Sequence, residues 1–373
     1  MAAENKPPFR ADHVGSLLRP ASLLEAREQW KRKRISEDEL KGLEDTAVRE
    51  AVKLQEDIGL QSITDGDYRR DHWWVDFVSG IQGVKIAGGM PVKFHNEGGD
   101  IEYAPPRAEV TGKLARPAGG ISLADFAFLK SVTKRTAKEC VPSPTCVHFR
   151  GGRAAVSRQA YPDMDGFFAD LARVYNEEFK AMAAAGCTYL QIDDTNFAFL
   201  CDPTLRENAR QMGEDPNALT HRYTRLVNES IKGLRPAMTV CVHLCRGNHE
   251  SSWVAAGGYE PVADAMLNEL DVDGFFLEYD SPRAGDFQPL RFLPRGKKVV
   301  LGLITTKKAA LESADAVRRR IDEAAKIVPL EQLCLSPQCG FASTKRGNAL
   351  TVDDEKKKLG LVVSVADQVW GRA

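Results

Sequence analysis

The chain repeats one local pattern eight times: a short apolar or β-branched run, a cluster of Gly, Pro or polar residues, then a longer stretch of helical periodicity. Such alternation builds parallel strands joined by crossover helices. A strand buried on both faces needs a continuous apolar run, and the helix covering it needs one apolar stripe. The candidate strands are the stretch ending at 13–16, then 62–65, 140–147, 189–193, 238–243, 274–278, 299–304 and 333–335. Eight is the count that closes a βα barrel, so the expected fold is α/β, a (β/α)8 TIM barrel with long βα loops. Ser36 with Glu39 forms a capping box ahead of a helix running to about Ile58, and Gly186 stands where a C-terminal cap belongs after a helix over 165–185. Two connections are longer than a barrel needs. The first, at about 80–120, mixes Gly and Pro with alternating apolar residues and reads as an inserted hairpin; the second, 194–218, reads as an active-site loop with short helical turns. No shift in composition marks a boundary, so residues 1–373 are expected to form one domain.

In a barrel of this kind the chemistry sits at the carboxyl ends of the strands. There the fifth strand runs Cys241-Val242-His243-Leu244-Cys245, the sixth ends Leu277-Glu278-Tyr279-Asp280, and the eighth is followed by Ser336-Pro337-Gln338-Cys339-Gly340. His243 and Cys245, two apart on an extended chain, point the same way. Neighbouring strand ends supply Glu278 and Cys339, which completes an N, O and S set of four suited to zinc. Spacing alone leaves the alternative open, a hydrogen-bonded core histidine among small buried thiols. Ligands drawn singly from three βα loops suit a catalytic metal. A zinc dication with two thiolates, a carboxylate and a neutral imidazole carries a net charge of about −1, which disfavours Lewis-acid activation of carbonyls and favours thiol chemistry. A substrate thiol loses its proton at such a metal and keeps a nucleophilic sulfur. Cys241, one step deeper on the same face, reads as barrel packing, and Cys140, Cys146, Cys187, Cys201 and Cys334 read as structural thiols.

Composition narrows the partners. Fifty-one basic against 52 acidic residues leave a net charge of −1, so no bulk field draws the protein to nucleic acid or to an anionic membrane. No apolar run reaches membrane-spanning length and the start is polar, so a cytoplasmic protein is expected. Walker, HExxH and GxGxxG fingerprints are missing from the sequence, which argues for a small-molecule substrate without ATP or nicotinamide. His13 is a candidate to reach the pocket or to support it from behind. Arg246, followed by Gly247-Asn248-His249, is a candidate for an anionic substrate group, and His72-Trp73-Trp74 for a wall or lid that keeps water from a thiolate. Arg150-Gly151-Gly152-Arg153 is a weak anion motif.

Taken in order, His13-Val14-Gly15-Ser16, Thr64-Asp65-Gly66-Asp67, Gln191-Ile192-Asp193-Asp194, His243-Leu244-Cys245, Glu278 and Ser336-Pro337-Gln338-Cys339-Gly340 resemble the cobalamin-independent methionine synthases and their single-barrel relatives. The resemblance covers most of the chain. It implies zinc on His243, Cys245, Glu278 and Cys339, and an amino acid substrate held by Ser16, Asp67 and Asp193, with Asp193 also counted in the catalytic set. It implies a zinc-dependent methyltransferase that activates a small thiol, homocysteine in the family, and methylates it to a thioether such as methionine. Departures accompany it. Arg150 stands nearest the place of the family's folate-stacking tryptophan, so folate as donor is open. Lys307 replaces a histidine that serves proton delivery, and Asp67 stands where the family has Glu. Complete methionine synthases carry a second, N-terminal barrel that this chain is expected to lack. Two other readings stand beside this one: a zinc-dependent thiol transferase or lyase using an epoxide or other non-folate donor, and a non-catalytic zinc- or thiol-binding protein. An amino acid clamp of Ser16, Asp67 and Asp193 speaks against the last. The partners expected are a small thiol and an alkyl donor, with a homo-oligomer among the possible assemblies.

Overall fold

Seven parallel strands are laid down by the apolar runs, and a computed structural model describes them together with the rest of residues 6–89 and 91–371. In chain order the strands are β1 (Ser62–Ile63), β2 (Gln82–Ala87), β3 (Val92–Asn96), β4 (Gly99–Tyr103), β5 (Arg107–Ala115), β6 (Thr136–Pro142), β7 (Tyr189–Asp194), β8 (Thr239–Leu244), β9 (Gly274–Glu278), β10 (Lys298–Ile304) and β11 (Leu333–Pro337). The main sheet has the order β1-β6-β7-β8-β9-β10-β11, so each strand pairs with its predecessor after a crossover. Every residue of β9 and β11 is buried, the sign of a sheet covered on both faces.

Local chemistry sets the helix ends. The Ser36 and Glu39 capping box starts Glu37–Ile58, which stops at Gly59 with φ of 107°, and a second box, Thr351 with Asp354, starts Val352–Trp370. Met164–Ala184 begins on the side-chain cap of Asp163 and is followed by Gly186 at φ 89°. The connection after β7 carries helices Asn196–Phe199 and Pro203–Gln211 ahead of Pro216–Ile231, the latter two opened by an Asp cap and a first-turn Pro.

The structure changes three expectations. The first of the eight expected strands, the one ending at 13–16, is reduced to one parallel bridge, Ala11 to Leu335. Its amides at Phe9 and His13 bond the Asp12 carboxylate instead of a neighbouring strand. The segment still meets both edges of the sheet: Leu335 N–H donates to Arg10 at 2.9 Å, and Leu17 N–H to Gly66 at 3.0 Å. The third barrel strand, expected at 140–147, lies at Thr136–Pro142, and Pro144–Val147 forms a 3₁₀ turn capped by Ser143. Lys138 and Glu139 disguised that strand, since both are buried charges, paired to Asp12 and Arg70. The insertion at 80–120 is two nested antiparallel ribbons, β2 with β5 and β3 with β4, the inner one turning at Glu97–Gly98.

Candidate active site

Strand ends and the loops beyond them converge as the βα periodicity demands. His243 lies on β8 with Cys245 one residue past its end, Glu278 closes β9, and Cys339 follows β11 by two residues. One donor atom from each of these four lies within 4.8 Å of the others, and all four residues are buried. The Cys245 and Cys339 sulfurs are 3.4 Å apart. A zinc tetrahedron with arms of about 2.0–2.3 Å has edges of roughly 3.3–3.8 Å; the sulfur pair falls in that range, and the set is compact enough to hold a metal ion.

The electrostatics ask for a cation. Neither ring nitrogen of His243 has a hydrogen bond of acceptable geometry, although the ring is almost wholly enclosed. A buried polar pair left open in this way is costly unless something else binds it. The thiol pair is unequal: the Cys245 hydrogen bond, with His243 beside it, holds Cys339 well below the ordinary thiol range, while the same contact and burial push Cys245 up. Burial and the Cys339 thiolate also raise Glu278, whose oxygens meet the Arg246 amide at 2.9 Å and Arg283 at 3.3 Å. Burial disfavours the His243 imidazolium, yet Cys339, Asp193 and Glu278 outweigh it and keep its pKa above the usual value. Three acidic groups and an imidazole therefore compete for protons in a space that a dication would satisfy together.

The cluster opens on a cavity whose wall also carries Ser16, Asp67 and Asp193. Asp193 is the β7 partner of His243 and accepts from Gln191 Nε2 at 2.7 Å; burial lifts its pKa to about 7. Asp67 sits in the left-handed region at φ 59°, and its carboxylate is 3.4 Å from Arg70. Burial raises its pKa as well. Ser16 is packed so tightly on Gly340 that a Cβ there would fall 1.9 Å from the Ser16 hydroxyl, so glycine alone fits.

Three other candidates lie elsewhere. His13 turns its Nε2 to the Ser62 carbonyl at 3.1 Å, and burial lowers its pKa to about 4. Arg246 does not offer its guanidinium to the cavity: the group is fully buried 4.4 Å over the Tyr259 ring. Lys307 faces an adjoining cavity shared with Asp280 and Arg283, and its Nζ donates to Asn248 Oδ1 at 2.9 Å.

Several wall residues escaped sequence reasoning. Phe94 and Tyr103 come from the inner ribbon of the insertion, and Tyr103 stacks on His249 at 4.0 Å between centroids. The ribbon is tied to the loop after Cys245 by paired backbone bonds between His95 and Trp253 at 2.7 and 2.9 Å. Alternation along β3 and β4 marks the aromatic face but not what it covers. His72 and Trp73 do line the cavity, where a wall was expected, whereas Trp74 is buried beside Arg150. Among the described residues, no helix is long and apolar enough to cross a membrane.

Comparison with known proteins agrees with this architecture. A family model, "Cobalamin-independent synthase, Catalytic domain", matches residues 9–368. The uncharacterized protein YxjH of Bacillus subtilis (strain 168) is 41% identical over 98% of this chain and 96% of its own length. A methionine synthase of Saccharolobus islandicus is 27% identical over 89% of this chain and 88% of its own. The crystal structure of the putative vitamin-B12 independent methionine synthase from Listeria monocytogenes superposes with a TM-score of 0.77 at 35% identity, covering 98% of this chain and 99% of that one. The chain belongs to the cobalamin-independent synthase family, as a form of its catalytic domain.

Proposed function

We propose that this protein is a cytoplasmic, zinc-dependent S-methyltransferase acting on a small thiol amino acid, with homocysteine the first candidate and methionine the product. The observation that carries the reading is the meeting, on one cavity wall, of a four-donor N, O and S cluster with Ser16, Asp67 and Asp193. We further propose that residues 1–373 act as one domain, with the segment around Ala11 taking the place of an eighth strand.

His243, Cys245, Glu278 and Cys339 are the proposed zinc ligands. Zinc held there lowers the pKa of a thiol and so supplies a nucleophilic sulfur at neutral pH. The chain's own residues hold the rest of the substrate. Asp67 and Asp193 face the cavity with carboxyls whose pKa burial raises, to about 7 for Asp193, and an α-ammonium between them favours the ionised forms. The Ser16 hydroxyl, on the cavity wall, suits the α-carboxylate. Trp73, Phe94, Tyr103 and Phe199 wall off water, so the sulfur stays unsolvated. As the sulfur-to-carbon bond forms, the bond from that carbon to the donor breaks and its electron pair leaves with the donor. Lys307 lies close enough to lower the pKa of Cys245, Cys339 and Glu278, so we assign it charge compensation, with Asn248 as its anchor, rather than proton transfer.

The test is a donor screen. Purified protein with one equivalent of zinc is incubated with homocysteine and, separately, methyltetrahydrofolate, methylcobalamin and small thioether donors, and methionine is measured. Turnover with one donor that disappears on chelation and returns with zinc is expected. Equal turnover without metal overturns the reading.

A further inference from the structure

A thiol methyltransferase needs a place for the part of the donor that does not react, and a second cavity meets this need. It is an open pocket of about 380 Å³ and shares Phe94, Pro105, Arg150, Phe199 and Val254 with the cavity of the metal cluster. The shared residues make a common wall, so a molecule in the second space can present one end to the first. Its remaining wall is apolar, with Leu205 and Met212, apart from Arg107, Asn208 and Gln211. Among the described lining residues there is no carboxylate.

Arg150 stands at the junction without a counter-ion. No carboxylate among the described residues forms an ion pair with it, and its hydrogen bond is a long one, 3.5 Å to the Pro106 carbonyl. Its guanidinium lies 5.7 Å from the Trp74 ring centre, with Cys146 and Tyr103 near enough to act on its charge. The side chain is half-buried at this junction, and desolvation lowers its pKa. Arg107, on the same cavity, shares its charge with Glu109 at 2.7 Å but leaves Nε unpaired. A guanidinium held in this way is a ready site for a planar anion, and aromatic and aliphatic walls beside it suit an apolar stem.

We infer that the second cavity binds an amphipathic anion, a carboxylate or sulfonate on an apolar stem, with Arg150 as its anchor, and that this is the non-reacting end of the alkyl donor. The last clause rests on the proposed function; the binding site does not. Cationic donors, such as sulfonium or quaternary ammonium compounds, are disfavoured by the same uncompensated charge.

The experiment separates the two. Zinc-loaded full-length protein is titrated by calorimetry with 4-phenylbutyrate, the neutral 4-phenylbutanamide and the cationic 4-phenylbutylamine. The carboxylate is expected to bind at least tenfold tighter than the amide, and the amine not measurably. Arg150→Met should bring the carboxylate down to the affinity of the amide, with Arg150→Lys between. Leu205→Trp, which fills the space beyond the junction, should weaken carboxylate and amide alike. Zinc content and homocysteine binding, measured on the same preparations, report on the metal site alone: their loss in the wild type would sink the proposed function and leave the anion site standing. Equal affinity for the three probes, no saturable binding of any, or full carboxylate affinity in folded Arg150→Met overturns the inference.

Discussion

The main sheet holds two buried polar clusters, one toward the amino ends of its strands and one at their carboxyl ends, and the contrast between them separates structure from function. Toward the amino ends, Lys138 Nζ bonds Asp12 at 3.0 Å and the His13 carbonyl at 2.5 Å, while Tyr189 and Ser62 hydroxyls donate to the same carboxylate at 2.8 and 2.7 Å. Every charge there is answered within the chain. At the carboxyl ends, both nitrogens of His243 are unpaired, and two thiols press together beside a carboxylate. Both clusters are equally hidden from solvent. Burial therefore does not distinguish them; completeness of hydrogen bonding does. A closed network holds the fold, and an open one waits for something from outside.

Four experiments break or sharpen this contrast. Removing a donor from the open cluster should abolish function and spare the fold: Cys245→Ser is expected to drop zinc from one per chain to below a tenth and turnover by about 10⁴-fold, read by metal analysis and methionine formation. A variant that keeps its zinc would remove the distinction. The closed cluster should behave in the opposite way. Lys138→Met leaves Asp12 as a buried uncompensated charge and should cost about 3–5 kcal/mol in urea unfolding, while the folded fraction still binds zinc. Asp193→Asn tests the substrate side of the open cluster, with KM for the thiol amino acid raised about 10–100-fold at unchanged zinc content; an unchanged KM would take Asp193 out of the clamp.

The smallest effect lies on the last helix, Val352–Trp370, where Glu355 accepts from the Leu18 amide just past Ser16. Burial raises this carboxyl from 4.5 to about 8. The folded protein thus holds a proton that the unfolded chain has already lost, so stability falls as pH rises from 4.5 to about 8 and levels off above. Glu355→Gln should flatten that slope and gain on the order of 1 kcal/mol at pH 9, checked by unfolding midpoints at pH 6 and pH 9. An unaltered slope would show that this carboxyl is not the titrating group.

Much of the site was legible because its ligands sit at fixed offsets from apolar runs. The runs 274–278 and 333–335 place Glu278 and Cys339 at strand ends whatever the loops do, and the structure brings both to His243 and Cys245. Misreadings came where charge is buried. Lys138 and Glu139 look like surface residues until Asp12 and Arg70 appear beside them, which displaced the third barrel strand by several positions. Arg246 looked available because it follows a ligand, but the Tyr259 ring that covers it stands at the head of the next helix, beyond the reach of local pattern. The aromatic wall from Phe94 and Tyr103 was out of reach for the same reason: alternation reveals a ribbon's faces and is silent on what it packs against.

Periodicity and strand-end chemistry, local properties of the polymer, determined the βα order, the helix caps and the identity of four candidate metal donors. Tertiary structure alone decided that the first segment joins the sheet through one bridge and the Asp12 carboxylate, that an inserted ribbon covers the cluster, and that Arg150 stands unpaired between two cavities. The physical reason is range: hydrogen bonds and side-chain direction within a strand or helix depend on near neighbours, whereas whether a buried charge finds its partner depends on groups tens to hundreds of residues away.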